Sequence, residues 1–233
     1  MNSTTWRTAA VLTLLGLAAC KGTQESEAPA KQETAATAAP KQPAQPGEAK
    51  QPAAPAPATA KAVVGQPAPD FRLPDLDGRE HALADYRGKT VVLEWFSPAC
   101  PYCVAAYSEG GALTELPERL VRDGVVWLSV NSQNAKHPGA NVEKNKAFVE
   151  KYHLEAPILL DPAGTVGRAY GAKTTPHCFV IDAKGVLVYA GGLDNAPNGQ
   201  TDGGAPVVNY VEAAVADLKA GRPVATSSSR SYG

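Results

Sequence analysis

Residues 90–103 read Thr90-Val91-Val92-Leu93-Glu94-Trp95-Phe96-Ser97-Pro98-Ala99-Cys100-Pro101-Tyr102-Cys103. Thr90–Phe96 is β-branched and apolar almost throughout, the pattern of a strand buried on both faces of a sheet. Cys100 follows that strand and opens a helix, so the partly positive helix end favours its thiolate. Cys103 lies three residues on and on the same helix face, which puts the two sulfurs within bridging range. A dithiol exchanger needs these two parts: one accessible thiolate of lowered pKa, and a second thiol near enough to resolve the mixed disulfide. Cys100 is the expected attacking thiol and Cys103 the resolving one. A Cys-x-x-Cys can also be half of a zinc site, but no second Cys or His pair of suitable spacing exists. A purely structural bridge closing so short a loop stabilises little.

Working outward, Asp70–Leu73 and Glu80–Leu83 flank the turn Asp75-Leu76-Asp77-Gly78, as in a short hairpin. Cys100–Leu120 reads as helix with a break expected near Gly110-Gly111 and Pro117. Val125–Asn131 is a second buried strand, Val142–Tyr152 a charged amphipathic helix, Ala156–Leu160 a short strand and Thr165–Tyr170 a short helix. Cys178–Ile181 and Val186–Ala190 are strands around the turn Asp182–Gly185, and Pro206–Ala220 a last helix. Strands alternating with helices, followed by a hairpin and a helix, predict an α/β sheet with mixed strand directions.

The chain has 233 residues, a net charge of −1 and four cysteines. That balance supplies no field for gripping nucleic acid, and no nucleic-acid partner is expected. Residues 1–20 carry one basic residue, Arg7, then a mostly apolar run too short to span a bilayer but suited to a signal peptide. The run ends on Leu17-Ala18-Ala19-Cys20, which resembles a bacterial lipobox. The resemblance implies cleavage before Cys20, lipid on its sulfur, and a membrane-anchored lipoprotein on the periplasmic or extracytoplasmic face. Residues 21–62 hold 14 Ala and 7 Pro with no aromatic residue, so they predict a disordered tether spanning roughly 30–40 Å as coil. Residues 63–222 are sized for one domain, and the polar stretch 223–233 predicts a disordered tail.

Gly65-Gln66-Pro67-Ala68-Pro69-Asp70-Phe71 with Leu73, Gly78, Leu83 and Gly88-Lys89, the strand into Cys100-Pro101-Tyr102-Cys103, and Thr175-Pro176 together resemble the redoxin branch of the thioredoxin superfamily. That branch includes peroxiredoxin-like and TlpA-like thiol–disulfide oxidoreductases. The segments around Tyr170-Gly171-Ala172 and Val188–Asn195 are similar to a peroxiredoxin-like subgroup. The resemblance implies a thioredoxin-like fold: a central mixed sheet flanked by helices, with an N-terminal hairpin extension. It implies an enzyme without cofactor or metal that exchanges disulfides with partner proteins, and outside the cytoplasm it implies a membrane thiol donor of electrons. It makes Pro176 a cis-proline presenting the backbone of Thr175 to a substrate beside Cys100, with Pro101 and Tyr102 at the same surface. It makes Glu94 a buried proton acceptor for Cys103 with a pKa raised toward neutrality. The other reading of Glu94 is a strand-edge residue paired with a Lys.

Two further activities compete. A peroxidase of this family needs a Thr or Ser three residues before the attacking Cys, which Ser97 supplies, but the preceding Pro is replaced by Leu93 and no Arg can be assigned. A copper-handling module would add His177 or Cys178 to the two thiols. Otherwise His177 is a loop residue with satisfied hydrogen bonds and Cys178 packs as a small hydrophobe. Trp95 and Trp127 read as core, and His137 as a solvated loop residue.

Overall fold

The computed structural model describes residues 61–233; the signal segment, Cys20 and nearly all of the expected tether lie outside the described residues. Among the described residues no helix is long and apolar enough to cross a membrane.

The strands are β1 (Arg72–Pro74), β2 (Glu80–Ala82), β3 (Val91–Trp95), β4 (Val126–Asn131), β5 (Ile158–Leu160), β6 (His177–Ile181) and β7 (Leu187–Gly191). The α-helices are α1 (Pro101–Tyr107), α2 (Leu116–Arg122), α3 (Val142–Tyr152), α4 (Thr165–Tyr170) and α5 (Tyr210–Lys219). β1 and β2 form the separate antiparallel hairpin. The main sheet runs β5-β4-β3-β6-β7, with β3, β4 and β5 parallel and β6 and β7 alternating against them. This is the mixed sheet, flanked by helices and carrying a hairpin extension, that the resemblance implies.

Alternation along the strands divides the core into two. One face of β3, β4 and β6 presents Val92, Trp127, Cys178 and Val180 to Cys103 and Tyr107 of α1, Leu116 and Leu120 of α2, Phe148 of α3 and Val211 of α5. The other presents Leu93, Trp95, Leu128, Val130 and Phe179 to Val166 and Tyr170 of α4 and to Phe71, Leu73 and Leu83. β3 is buried at every residue because it has a strand on each side and a helical layer on each face.

The break expected near Gly110-Gly111 divides the helical stretch into α1 and α2, with residues 108–115 folded as turns between them, where the Ala106 and Ala105 carbonyls leave no room for a Cβ at Gly111. One expectation is corrected. The stretch 223–233 packs back on the domain. Ala225 N–H donates to Asp217 of α5, Ala190 N–H to the Ser227 carbonyl, and Tyr232 Oη to Asp194 Oδ1 at 2.6 Å. Composition misses this because the contacts are backbone and hydroxyl bonds, which need no apolar run.

Candidate active site

β3 carries the chain to the sheet edge, where Cys100 is the residue preceding α1, with extended backbone (φ −82°, ψ 122°). Pro101 occupies the first helical position, where its missing N–H costs nothing. Cys100 is half-buried, Pro101 exposed, Tyr102 half-buried and Cys103 fully buried, and both sulfurs are free thiols. Thr175-Pro176 is a cis peptide, and the Thr175 carbonyl oxygen lies 2.9 Å from Cys100 Sγ. Sequence-distant residues 100 and 175 therefore meet at one surface.

The two thiols have opposite electrostatics. The Cys100 pKa is pulled down to about 5, first by the hydrogen bond that the Cys103 thiol donates to it. Partial burial works against this, while the Thr175 side chain and the backbone N–H groups of Cys103 and Tyr102 add to it. Cys103 is pushed well above the usual thiol value, first by burial, then by its bond to Cys100 and the negative field of Glu94. Near neutral pH one sulfur is thiolate and the other keeps its proton, the division of labour that exchange requires.

Glu94 lies near enough to Cys103 for its negative field to raise that thiol's pKa. It is fully buried in the middle of β3, between Ser129 of β4 and Cys178 of β6 in register, so the strand-edge alternative is wrong. Tyr107 Oη donates to Glu94 Oε2 at 2.5 Å and Ser129 Oγ donates to the same oxygen at 3.1 Å. Oε1 has no hydrogen-bond partner, nor has the nearby Trp127 indole N–H. Burial raises the Glu94 pKa to about 7, against the hydrogen bonds that Tyr107 and Ser129 donate to it. A carboxylate half-charged near neutrality, with one oxygen unengaged, is a competent proton acceptor.

Tyr107 was not singled out from sequence, although it lies four residues beyond Cys103 and hence on the same helix face. Phe96 and Phe148 pack edge-to-face against its ring at centroid distances of 6.2 Å and 5.5 Å, which fixes its hydroxyl on Glu94. Cys178 is buried with its pKa pushed up by burial. His177 is buried, its Nδ1 accepts from Lys173 N–H, and burial lowers its pKa to about 4. Among the described residues no three His, Cys, Asp or Glu side chains converge as a metal site. Ser97 is buried, donates to Gln133 Oε1 at 3.0 Å and accepts from Ala99 N–H. His137 is exposed in its loop and its ring accepts from Gly139 N–H.

A thioredoxin-type sheet ending in a dithiol beside a cis-proline loop defines a redoxin of the thioredoxin superfamily. Residues 64–190 match the AhpC/TSA family, to which the chain belongs. It is 42% identical over 122 residues to the thiol-disulfide oxidoreductase ResA of Geobacillus thermodenitrificans, covering 52% of this chain and 65% of that protein. It is 32% identical over 123 residues to the thioredoxin-like protein YneN of Bacillus subtilis, covering 53% of this chain and 68% of that protein. Among solved structures it is similar to a hypothetical protein, SMc02350, of Sinorhizobium meliloti, with TM-score 0.65, 30% identity, 74% of this chain and 93% of the other. It is also similar to an uncharacterized conserved protein of Geobacillus kaustophilus, with TM-score 0.64, 29% identity, 72% of this chain and 88% of the other.

Proposed function

We propose that the chain is a thiol–disulfide oxidoreductase whose Cys100–Cys103 couple reduces disulfides of partner proteins. The observation that carries this reading is the opposed pair of thiols, Cys100 lowered to about 5 and Cys103 raised, beside a buried carboxylate poised near 7. Similarity to ResA over half of this chain supports it.

The Cys100 thiolate attacks one sulfur of the partner's disulfide. A Cys100–partner bond forms, the partner's S–S bond breaks, and the departing sulfur takes a proton from solvent. Cys103 then gives its proton to Glu94, and its thiolate attacks Cys100 Sγ. The Cys100–Cys103 bond forms and the second partner sulfur leaves as thiolate. The partner gains two electrons and the enzyme loses two. A dithiol protein returns them by the reverse exchange, and outside the cytoplasm that donor is a membrane thiol protein. Thr175 and Pro176, with Pro101 and Tyr102, form the docking surface, since the Thr175 backbone beside Cys100 is of the kind that pairs with an extended chain. The lipobox places lipid on Cys20 and the enzyme on the extracytoplasmic face of a membrane, with residues 21–62 giving reach.

Insulin reduction with a dithiol donor tests the reading. The parent should turn over insulin and Cys100→Ser should lose it entirely. Cys103→Ser should accumulate a mixed disulfide that does not resolve. Insulin turnover surviving in Cys100→Ser would overturn the assignment. The peroxidase alternative retains only Ser97, whose hydroxyl is already held by Gln133.

A further inference from the structure

Residues 225–233 lie along the surface on which the preceding reading, on which this inference rests, places the substrate. Past Ala225 the chain runs beside β7, the edge strand of the sheet. Ala190 N–H donates to the Ser227 carbonyl, and Ser228 bridges Ala190 in parallel register. Ser229 Oγ lies 2.7 Å from Tyr189 Oη and accepts from Gly192 N–H at 3.0 Å. Tyr232 bonds to the buried Asp194, and its ring lies 5.8 Å from that of Tyr102, inside the Cys-x-x-Cys. Gly233 ends against the Thr175 backbone so closely that a Cβ added to it would sit 2.7 Å from the Thr175 nitrogen.

The receiving surface is shaped for this segment. A Cβ on Gly191 would meet only Ser229 within 2.5–2.7 Å, and one on Gly192 would lie 2.7 Å from the Arg230 carbonyl oxygen. Gly233 also lines two cavities. One of about 770 Å³ is lined by Tyr102, Asp194, Tyr232 and Gly233, and one of about 460 Å³ by Trp95, Gln133, Thr175 and Gly233. Thr174 borders both.

We propose that residues 227–233 are a specificity gate: docked, they occupy the strip beside Thr175 and restrict Cys100 to small disulfides, and protein disulfides enter only when the segment lifts. Tyr232 is the residue that fixes the closed position, through Asp194 and Tyr102. Apart from the Tyr232 ring the segment is held by polar contacts, and most of its residues are exposed, the kind of structure that opens locally without global unfolding. Affinity for a large partner is then reduced by the open fraction, whereas a small reagent reaches the half-buried Cys100 in either state.

The test compares the full chain with Gly191→Ala, with Tyr232→Phe and with a deletion of residues 226–233. Gly191 lies in strand β7, and the three atoms nearest a Cβ there all belong to Ser229 of the docked segment. For an open fraction of ~0.1–0.2, kcat/KM for insulin should rise about five- to tenfold in Gly191→Ala and in the deletion. Tyr232→Phe should give part of that rise, and turnover of a small aromatic disulfide should stay within about twofold of the parent throughout. Equal gains on both substrates, or no gain on insulin, would overturn the gate.

Alkylation of Cys100 provides a readout independent of turnover. A polymer-bearing maleimide should react faster in the variants, and iodoacetamide should not. If neither disulfide is turned over by the parent, the oxidoreductase reading fails. The alkylation contrast still decides the gate, and unchanged maleimide rates would refute it.

Discussion

At the scale of single residues, the proposed chemistry rests on burying an acid in the middle of a sheet. Glu94 is paired on either side in register with Ser129 and Cys178, so nothing cationic reaches it and desolvation dominates its pKa. Its folded value near 7 lies above the ordinary 4.5, so the folded state binds the extra proton in the window between. The stability associated with protonated Glu94 is therefore present below about pH 4.5 and lost as pH rises through 7. Glu94→Gln should gain relative to the parent across that window by about 3 kcal/mol, measured by urea unfolding at several pH values. On the proposed mechanism the same variant should slow release of the trapped partner, because Cys103 would lose its proton acceptor. Tyr107 lowers the Glu94 pKa through its donated bond, so Tyr107→Phe should shift the pH midpoint of the resolution step upward with no loss of Cys100 alkylation. Cys100 itself should show an alkylation midpoint near pH 5 when followed by mass spectrometry, and a midpoint near 8 would contradict the donor set described around it.

At the scale of elements, the loop after β4 is anchored by an amide network. Asn131 Nδ2 donates to the Gly139 carbonyl and to Asn145 Oδ1, and Asn145 Nδ2 donates to the Gly139 and Asn141 carbonyls. Asn145 is fully buried on α3, a helix that otherwise looks charged and solvated, and this explains an amide where periodicity asks for an apolar residue. Asn145→Leu leaves the Gly139 carbonyl with fewer donors and Asn131 Nδ2 with the Gly139 carbonyl alone as acceptor, and should cost about 2–3 kcal/mol in urea unfolding. The loop also supplies Gln133 to Ser97, so small changes at the start of α1 should accompany that loss and be visible in Cys100 reactivity.

At the scale of the whole molecule, the proposed site is built entirely from described residues. Every group placed at the site lies between 94 and 178, and the start of the described chain is tied down by Ala62 N–H on the Ala169 carbonyl and Gly65 N–H on the Leu187 carbonyl. A chain beginning at Lys61 should therefore keep kcat/KM on soluble substrates within about twofold of the full chain. Loss of activity on that truncation would show that residues before 61 contribute to the site.

Local information carried the periodic parts. β3 reads as buried because five of the seven residues 90–96 are apolar, and α3 and α4 were legible to the residue because their ends are marked by Asn141 before one and by glycines around the other. The Cys-x-x-Cys was legible because its chemistry depends on a spacing of three within one helix. Strand order, which brings Thr175 to Cys100 and sets Ser129 and Cys178 beside Glu94, is a matter of pairing between segments far apart, and no local pattern encodes it. The docking of residues 225–233 belongs to the same class, since Gly191, Gly192 and Tyr232 acquire meaning only when the edge strand and the returning chain are side by side.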